Sequence, residues 1–326
     1  MTVFPFRRPH LGLSIGAGML GLAEVRRDWR QGRGRLKLHR SGDRALPPGL
    51  IRPSATEPNM KDVTALTDEL CALLGGRRQA SRALSVALTL PDLCARVALL
   101  DFESLPQKPA ERETLLRWRF QRDLNLAGTD VRVAYRVFQE AAEPRAHPDR
   151  REPGSFWVLA CALRQDIVGQ YEQACEEAGL LPISVGLAGL RLFDLCRPAL
   201  AAGEEFFFVH VADSGFSFLG VRHGSPVFLR IKPLRNGSAT LATELLATLQ
   251  FYTDRHPQAA RADPTALEPA RPLFIVGDPG LPGSFAESLG ITVLPLGLDD
   301  LSVSKTLAAG ALSASSLPAL AGVLDA

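Results

Sequence analysis

Hydrophobic residues recur with helical spacing in three stretches of the chain, 60–76, 110–126 and 164–179. In the first stretch, the spacing predicts a helix that buries Val63, Leu66, Leu70, Leu73 and Leu74. The second stretch repeats the pattern through Leu116, Phe120 and Leu124, and Gly179 is a candidate C-terminal stop for the third. Apolar runs with strand character separate these stretches, so the pattern predicts an α/β or α+β protein.

Three stretches rich in Pro, Gly, Ser and charged residues predict loops, namely 41–58, 141–155 and 254–272. The middle stretch lies between two strand-like runs, "VRVAYRVF" and "FWVLACAL". This order predicts a β-hairpin with a long loop that is disordered or exposed.

Near the N-terminus, "LGLSIGAGMLGLAEVRR" contains G-x-G-x-x-G in Gly16, Gly18 and Gly21. This spacing suits a dinucleotide cradle, a different phosphate loop or a tight turn between two strands. A dinucleotide cradle needs a helix after the glycines and an acid about 20 residues further on. The residues that follow favour two strands around a "QGRG" turn instead, and Asp43, at a suitable distance, lies in a predicted loop.

A second glycine-bearing stretch resembles the first. When "LSIGAGMLGLAEVRR" is set beside "VADSGFSFLGVRHGSPVFLRI" with Ser14 on Asp213, Gly16 falls on Gly215. Each copy is an apolar strand, a turn at a glycine and a return strand. Two β-hairpins with facing tips explain this echo, and glycines at such tips let backbone N–H groups approach an anion. Chance similarity of two short strands is the alternative.

Composition mainly excludes functions. The chain has 326 residues, 46% of them hydrophobic and 22% charged, with a net charge of +2, which is typical of a soluble globular protein of about two domains. No apolar run approaches the roughly 20 residues of a membrane span, and the N-terminus lacks signal-peptide features. We therefore expect a cytoplasmic protein, and the charge gives no support for a nucleic-acid partner.

The candidate chemistry is sparse. The six histidines have no metal-ligand spacing, and the motifs of common hydrolases and P-loop enzymes are absent. The five cysteines form no C-x-x-C pair, which predicts buried, reduced thiols. Basic residues are concentrated at 26–40, where a solvated hairpin face and peripheral contact with anionic lipid or phosphate both explain them.

The order of these stretches resembles the actin-like ATPase superfamily, and within it the PilM proteins of type IV pilus assembly. The resemblance covers nearly the whole chain. The first glycine hairpin resembles the family's phosphate-1 motif, "VHVADSGFSFLGVRHGSPVFLRIKPL" its phosphate-2 motif, and "LFIVGDPGLPG" its adenosine-side motif. On this interpretation the G-x-G-x-x-G pattern is a by-product, because Gly16 is the turn glycine and Gly21 belongs to the return strand.

The resemblance implies a site for ATP with magnesium. Its residues in this sequence are Gly16, Gly18, Asp213, Gly215, Ser217, Gly277 and Gly280. Asp213 stands at the position that helps to hold hydrated magnesium, and Ser217 is a candidate phosphate donor. An aspartate beside a glycine at a strand end is also a common turn former, so a purely structural role is the alternative for Asp213.

Departures from the family's pattern predict a weak or absent nucleotide site. Ser14 stands where the family usually carries an acid, and a serine lacks the negative charge that a hard cation favours. Residues 19–21 supply no phosphate-donor side chain, and Asp278 and Pro279 interrupt the small residues expected on the adenosine side. Phosphoryl transfer depends on metal-assisted charge stabilisation, so we expect no hydrolysis.

The resemblance then implies a cytoplasmic scaffold at the inner face of the inner membrane. Such a scaffold holds the cytoplasmic tail of a PilN-like bitopic protein and contacts other pilus or secretion assembly proteins. One alternative is a GspL-like component of type II secretion. The other is an ATPase or small-molecule kinase of the same superfamily, and Ser14 argues against it.

The expected architecture is a two-lobed, actin-like α/β fold. Residues 1–84 and 184–326 form the body, and residues 85–183 form an inserted α+β subdomain that carries the partner site. Its strands "LSVALTL" and "VRVAYRVF" are expected to offer an edge for strand addition. Trp118, on a basic helix face, is the candidate partner-binding residue, and packing of this ring on a neighbouring lobe is the alternative.

Overall fold

The computed structural model describes residues 9–28, 35–76, 83–123, 130–139, 156–200, 205–234, 240–255, 271–277, 292–296, 313 and 315–325. These residues form thirteen strands and six α-helices. The strands are β1 (Leu11–Ile15), β2 (Met19–Asp28), β3 (Arg35–Ala45), β4 (Leu84–Leu90), β5 (Arg96–Phe102), β6 (Val131–Gln139), β7 (Phe156–Arg164), β8 (Leu180–Leu187), β9 (Glu205–Ala212), β10 (Gly215–Arg222), β11 (Ser225–Pro233), β12 (Leu273–Val276) and β13 (Val293–Pro295). The helices are α1 (Val63–Leu74), α2 (Pro109–Asp123), α3 (Gln165–Glu177), α4 (Ala188–Leu200), α5 (Leu241–Arg255) and α6 (Leu317–Asp325).

The strands pair into three sheets, two of which repeat one plan. The first sheet has the order β3-β2-β1-β4-β8 and the second the order β11-β10-β9-β12-β13. In each, a meander of three antiparallel strands is followed by two strands that run parallel to its first strand. The third sheet has the order β5-β7-β6 and is antiparallel throughout.

The helices and the first two sheets stack in layers. Helices α1 and α3 cover one face of the first sheet, α4 and α6 lie between the two sheets, and α5 covers the far face of the second sheet. Alternation along β1 sends Leu13 and Ile15 into the core beneath α1 and α3, so Gly12 and Ser14 point to the opposite face. Ser14 therefore points away from the core that α1 and α3 cover.

Helix α6 packs directly on the backbone of the first hairpin. A Cβ at Gly12 would lie 1.9 Å from the carbonyl oxygen of Ala319, and a Cβ at Gly21 would lie 2.0 Å from that of Ser315. Only glycine permits this approach. The prediction that Gly21 belongs to the return strand is confirmed, and its physical reason is the packing of the C-terminal segment.

Arg191 of α4 joins several of these layers from a buried position. Its guanidinium donates to the Leu88 carbonyl at 2.8 Å, to Thr89 Oγ1 at 2.7 Å and to Ser184 Oγ at 2.6 Å. Its Nε lies 3.7 Å from the Asp325 carboxylate at the end of α6. Burial lowers the pKa of Arg191 to about 10. The side chain thus ties the first sheet to α4 and to the C-terminal helix.

Most predicted elements are confirmed where the structure describes them. The three helical stretches contain α1, α2 and α3, and Gly179 follows α3 with a φ of +80°. The two strand-like runs form the antiparallel pair β6–β7. Residues 141–155, predicted as its long loop, lie outside the described residues, as do 256–270 of the third predicted loop. The predicted loop 41–58 begins later, because β3 pairs with β2 as far as Ala45.

The inserted subdomain is smaller than the predicted 85–183. The third sheet and α2 cover residues 96–164, and we call this segment the inserted subdomain. Strand β4 pairs with β1 on one side and β8 on the other, so it belongs to the first sheet and has no free edge for strand addition. Its apolar run is that of a central parallel strand, buried on both faces. Strand β6 is an outer strand of the third sheet, as expected.

Four of the five cysteines are buried, as predicted, and Cys71 is partly buried. Burial raises the pKa of Cys94 to about 12 and that of Cys161 to about 11. Among the described residues, no helix combines the length and the apolar character that a membrane crossing needs.

Candidate functional site: the cleft between two hairpin tips

The turns of two β-hairpins face each other across a cleft. The first turn, residues 16–18, joins β1 to β2, and the second, residues 213–214, joins β9 to β10. Gly16 closes the first turn by donating its N–H to the Met19 carbonyl at 2.8 Å. The N–H of Gly18 donates to Asp213 Oδ2 at 3.2 Å and so joins the two tips directly. The predicted pair of facing hairpins is therefore confirmed.

The two hairpins do not match in the register that the sequence echo suggested. Ser14 on β1 pairs with Gly21 on β2, seven residues further along the chain. In the second hairpin, the cross-strand pair that is also seven residues apart is His210 on β9 and Ser217 on β10. Counted from the turn, His210 is therefore the counterpart of Ser14. The alignment of Gly16 with Gly215 is wrong, since Gly215 is the first residue of β10 and the turn precedes it.

The tips border a cleft of about 630 Å³. Most of its wall is apolar, with contributions from Ile15, Met19, Leu90, Pro91, Leu192 and Val276. Polar groups come from Ser14, Ser214, Ser313, Ser315 and His210. Of the described residues that line the cleft, Asp213 is the only acid and none is a lysine or an arginine. The described lining thus offers no cationic side chain for a phosphate.

Gly277 lines the cleft at the end of β12. Its φ of +107° lies in the region that favours glycine, and a Cβ there would lie 2.4 Å from the Val211 carbonyl oxygen. The chain therefore needs a glycine at this position for its backbone geometry. Gly280, the other predicted residue of this motif, lies outside the described residues.

The remaining predicted phosphate-2 residues do not line the cleft. A Cβ at Gly215 would lie 2.4 Å from the Lys232 carbonyl oxygen, so this glycine serves the packing of β10 on β11. Ser217 is 2% exposed, and its hydroxyl donates to the carboxylate of Asp92. The geometry gives no support to Ser217 as a phosphate donor, because its hydroxyl is already bonded inside the protein.

Asp92 is a buried carboxylate that the sequence motifs do not single out. The N–H of Gly189, at the start of α4, donates to both of its oxygens, at 2.9 and 3.0 Å. The Ser217 hydroxyl donates to Oδ2, and His210 Nδ1 lies 3.4 Å from the same oxygen. The carboxylate thus satisfies one of the N–H groups that a helix start leaves without a partner. The sequence signal was an aspartate directly after the apolar run "VALTLP".

This cluster brings together an aspartate, a histidine and a serine, but not as a catalytic triad. Acyl transfer requires the serine hydroxyl to hydrogen-bond to one imidazole nitrogen and the aspartate to hydrogen-bond to the other. Here the contacts of both Ser217 and His210 run to Asp92. Since Ser217 is also buried, the cluster connects structural elements.

Trp118 lies on the outer side of α2 in the inserted subdomain. Its side chain is 49% exposed, and the guanidinium carbon of Arg122 lies 4.3 Å from the centre of its ring. Leu116 and Phe120 are buried against the third sheet, as predicted. This exposure gives no support to the alternative in which the Trp118 ring packs on a neighbouring lobe.

No known family model matches the chain, and no curated protein matches it. Among solved structures, that of a PilM–PilN type IV pilus biogenesis complex matches with a TM-score of 0.66. The match covers 98% of this chain and 99% of the other at 21% identity. The fold is actin-like. The predicted resemblance to PilM is thus confirmed, and at this identity the shared property is the fold.

Two further solved structures match with TM-scores below 0.5. One is a Bacteroides thetaiotaomicron protein of unknown function with an actin-like ATPase fold, with a TM-score of 0.49 and 9% identity over 91% of this chain and 94% of that one. The other is the cytoplasmic domain of EpsL, an inner-membrane component of the type II secretion system of Vibrio cholerae. It has a TM-score of 0.47 and 11% identity over 96% of this chain and 94% of that one.

Proposed function

We propose that the protein is a non-catalytic, actin-like scaffold of a type IV pilus or related secretion assembly, located at the cytoplasmic face of the inner membrane. The full-length likeness to the PilM–PilN structure supports this class of protein. The observation that carries the non-catalytic part is the direct bond between the two hairpin tips, Gly18 N–H to Asp213.

The described cleft is a poor fit for magnesium-ATP. In the family, the first hairpin contributes an acid and phosphate donors, whereas here Ser14 is uncharged and the Gly18 N–H is already bonded to a carboxylate. Asp213 could contribute one oxygen to hydrated magnesium. Without a cation in the described lining, however, its negative charge faces the triphosphate. We therefore assign no catalytic step to this cleft.

Magnesium-ATP is expected to bind with a dissociation constant weaker than about 1 mM, which corresponds to roughly 4 kcal/mol of binding free energy. Hydrolysis is expected at the background rate. Calorimetry at high protein concentration tests the first expectation and a phosphate-release assay the second. The Asp213→Ala variant is the control and is expected to behave like the parent. Low-micromolar affinity that this substitution abolishes would show that the second hairpin suffices for binding.

The proposed partner is the cytoplasmic tail of a PilN-like bitopic membrane protein, and its proposed site includes Trp118. A half-exposed tryptophan stacked under an arginine supplies apolar area and a cation at one place, and such residues dominate many interfaces. Because Leu116 and Phe120 hold the opposite side of α2 in the core, Trp118 stands on a rigid support.

The Trp118→Ala variant is expected to lose co-purification with the membrane protein encoded next to it, with affinity reduced about tenfold or more. Its free energy of unfolding should change by no more than about 0.5 kcal/mol, since the ring is half exposed. Thr114→Ala, on the same exposed face of α2, is the matched control and should change neither property. Lost stability with partner capture retained would instead assign Trp118 to a structural role.

Strand β6 offers a second surface on the same subdomain. Arg132 reaches Glu172 on α3 with Nη2 to Oε2 at 2.8 Å, and Arg136 pairs with Asp194 on α4. Between these two bridges Ala134 is exposed. If Trp118→Ala retains the partner, Ala134→Glu is the next variant to test, because it adds bulk and charge between the two bridges.

A further inference from the structure

Five residues, 91–95, connect β4 of the first sheet to β5 of the inserted subdomain, and each end of this connector has a different neighbour. Pro91 lines the cleft. Cys94 is buried in the core beneath α1 and α3, where it contacts the Tyr171 hydroxyl and accepts from the Asn59 amide at 3.0 Å. The connector is therefore anchored in the core between the first sheet and helices α1 and α3 on its way to the subdomain.

The middle of the connector is bonded to the second hairpin. Asp92 Oδ2 accepts a hydrogen bond from the Ser217 hydroxyl on β10 and lies 3.4 Å from Nδ1 of His210 on β9. The neighbouring Leu93 packs on Gly215, where a Cβ would lie 3.0 Å from its Cδ1. His210 also lines the cleft, so one imidazole contacts both the cleft and the connector. The subdomain has a second contact with the same sheet, because β5 lies against β11.

We infer that Asp92 couples the state of the hairpin tips to the position of the inserted subdomain. A shift of the second hairpin moves His210 and Ser217, and Asp92 must then either follow them or lose their hydrogen bonds. Gly189 would still donate to the carboxylate, but the loss of the Ser217 and His210 contacts in a buried site is costly, so we expect the connector to follow and β5 to move with it. Two sites are coupled when both bias one element, and here that element is residues 91–95.

This coupling is reciprocal. Any change at the tips that alters the subdomain must be matched by an equal effect of the subdomain on the tips. Binding of a molecule to α2 or β6 would therefore also change the contact between Gly18 and Asp213. The inference concerns the chain by itself, so it stands or falls independently of the proposed partner.

Hydrogen–deuterium exchange of the full chain tests the coupling by a double-mutant cycle. Asp213→Ala removes the bond between the tips, and the reporters are the amides of β5 and β7. We expect Asp213→Ala to raise their exchange rates about fivefold or more, the lower end of common coupling factors. In an Asp92→Asn background, the same substitution should change these rates less than about twofold. The amides of α5, on the far face of the second sheet, report global destabilisation and serve as the reference.

Asp43→Ala, which removes an exposed aspartate on β3, is the matched control and should leave the β5 amides unchanged. If Asp92→Asn does not fold, Ser217→Ala replaces it, because it removes one donor and leaves the carboxylate bonded to Gly189. Exchange in β5 that does not respond to Asp213→Ala, or that responds equally in both backgrounds, overturns the inference. A reduced response in the Asp92→Asn or Ser217→Ala background supports it.

Discussion

Replacing Gly21 by alanine is expected to lower the free energy of unfolding by about 3 kcal/mol, the upper end of overpacking effects. The new Cβ would lie 2.0 Å from the Ser315 carbonyl oxygen and 2.9 Å from the Ser316 Cα. Both are backbone atoms, so no side-chain rotation relieves the clash. The start of α6 must move away from β2, and the buried contacts of the helix are lost with it.

Gly42→Ala is the matched control for this prediction. Gly42 lies on β3 next to β2, and the nearest atom to its added Cβ is Leu73 Cδ1 at 3.8 Å, an ordinary contact. Alanine there should change stability by no more than about 0.5 kcal/mol. Urea denaturation followed by circular dichroism compares the two variants. Equal stability of Gly21→Ala and Gly42→Ala would contradict the packing of α6 on the first hairpin.

Stability is expected to fall steeply above about pH 9 because burial raises the pKa of three thiols. Burial raises the pKa of Cys94 from 9.0 to about 12 and that of Cys161 to about 11, and it raises the pKa of Cys175 as well. Unfolded thiols ionise near pH 9, whereas the folded chain keeps these protons to a higher pH. The unfolded state then binds fewer protons, so stability declines with pH. Below about pH 9 these thiols are protonated in both states, so their full contribution to stability is present.

Each thiol contributes about 1.4 kcal/mol per pH unit, so the three together give a slope of roughly 4 kcal/mol per unit between about pH 9 and pH 11. Burial also raises the pKa of Tyr171, which steepens the decline above about pH 10. Urea unfolding at a series of pH values measures the slope directly. A stability that stays level between pH 9 and 10.5 would refute the burial of these thiols.

Cys161→Ala should remove about a third of this slope, since one of the three thiols is lost. Leu159→Ala is the control, because Leu159 is buried on the same face of β7 and does not titrate. It should lower stability at every pH by about 2–5 kcal/mol and leave the slope unchanged. The pair separates the loss of a buried side chain from the loss of a titrating group.

The helices and the glycine hairpins could be predicted from the sequence because their causes are local. The period of Leu66, Leu70 and Leu73 defines the buried face of α1, and Leu116 and Phe120 do the same for α2. The strand–turn–strand pattern around Gly16 needs only neighbouring residues. The order of such elements indicated only an α/β or α+β protein, and the resemblance of the quoted stretches to PilM motifs implied the actin-like fold.

The edges of the inserted subdomain and the register of the two hairpins were decided by tertiary structure. The run "LSVALTL" has the same apolar pattern whether it is an edge strand or, as β4, lies between β1 and β8. Glycine spacing does not show which residues pair across a hairpin, whereas the pairs Ser14–Gly21 and His210–Ser217 define the register of each one. Because the two pairs have the same separation, the counterpart of Ser14 is His210.

The role of Asp92 depended entirely on the tertiary structure. Its partners Gly189, His210 and Ser217 are 97, 118 and 125 residues away in sequence. A side chain whose bonds cross such distances leaves no local pattern, because burial and hydrogen bonding are set by the packing of whole layers. The sequence by itself determined which segments form helices, strands and turns, and the stacking of those segments determined which polar groups meet at the cleft.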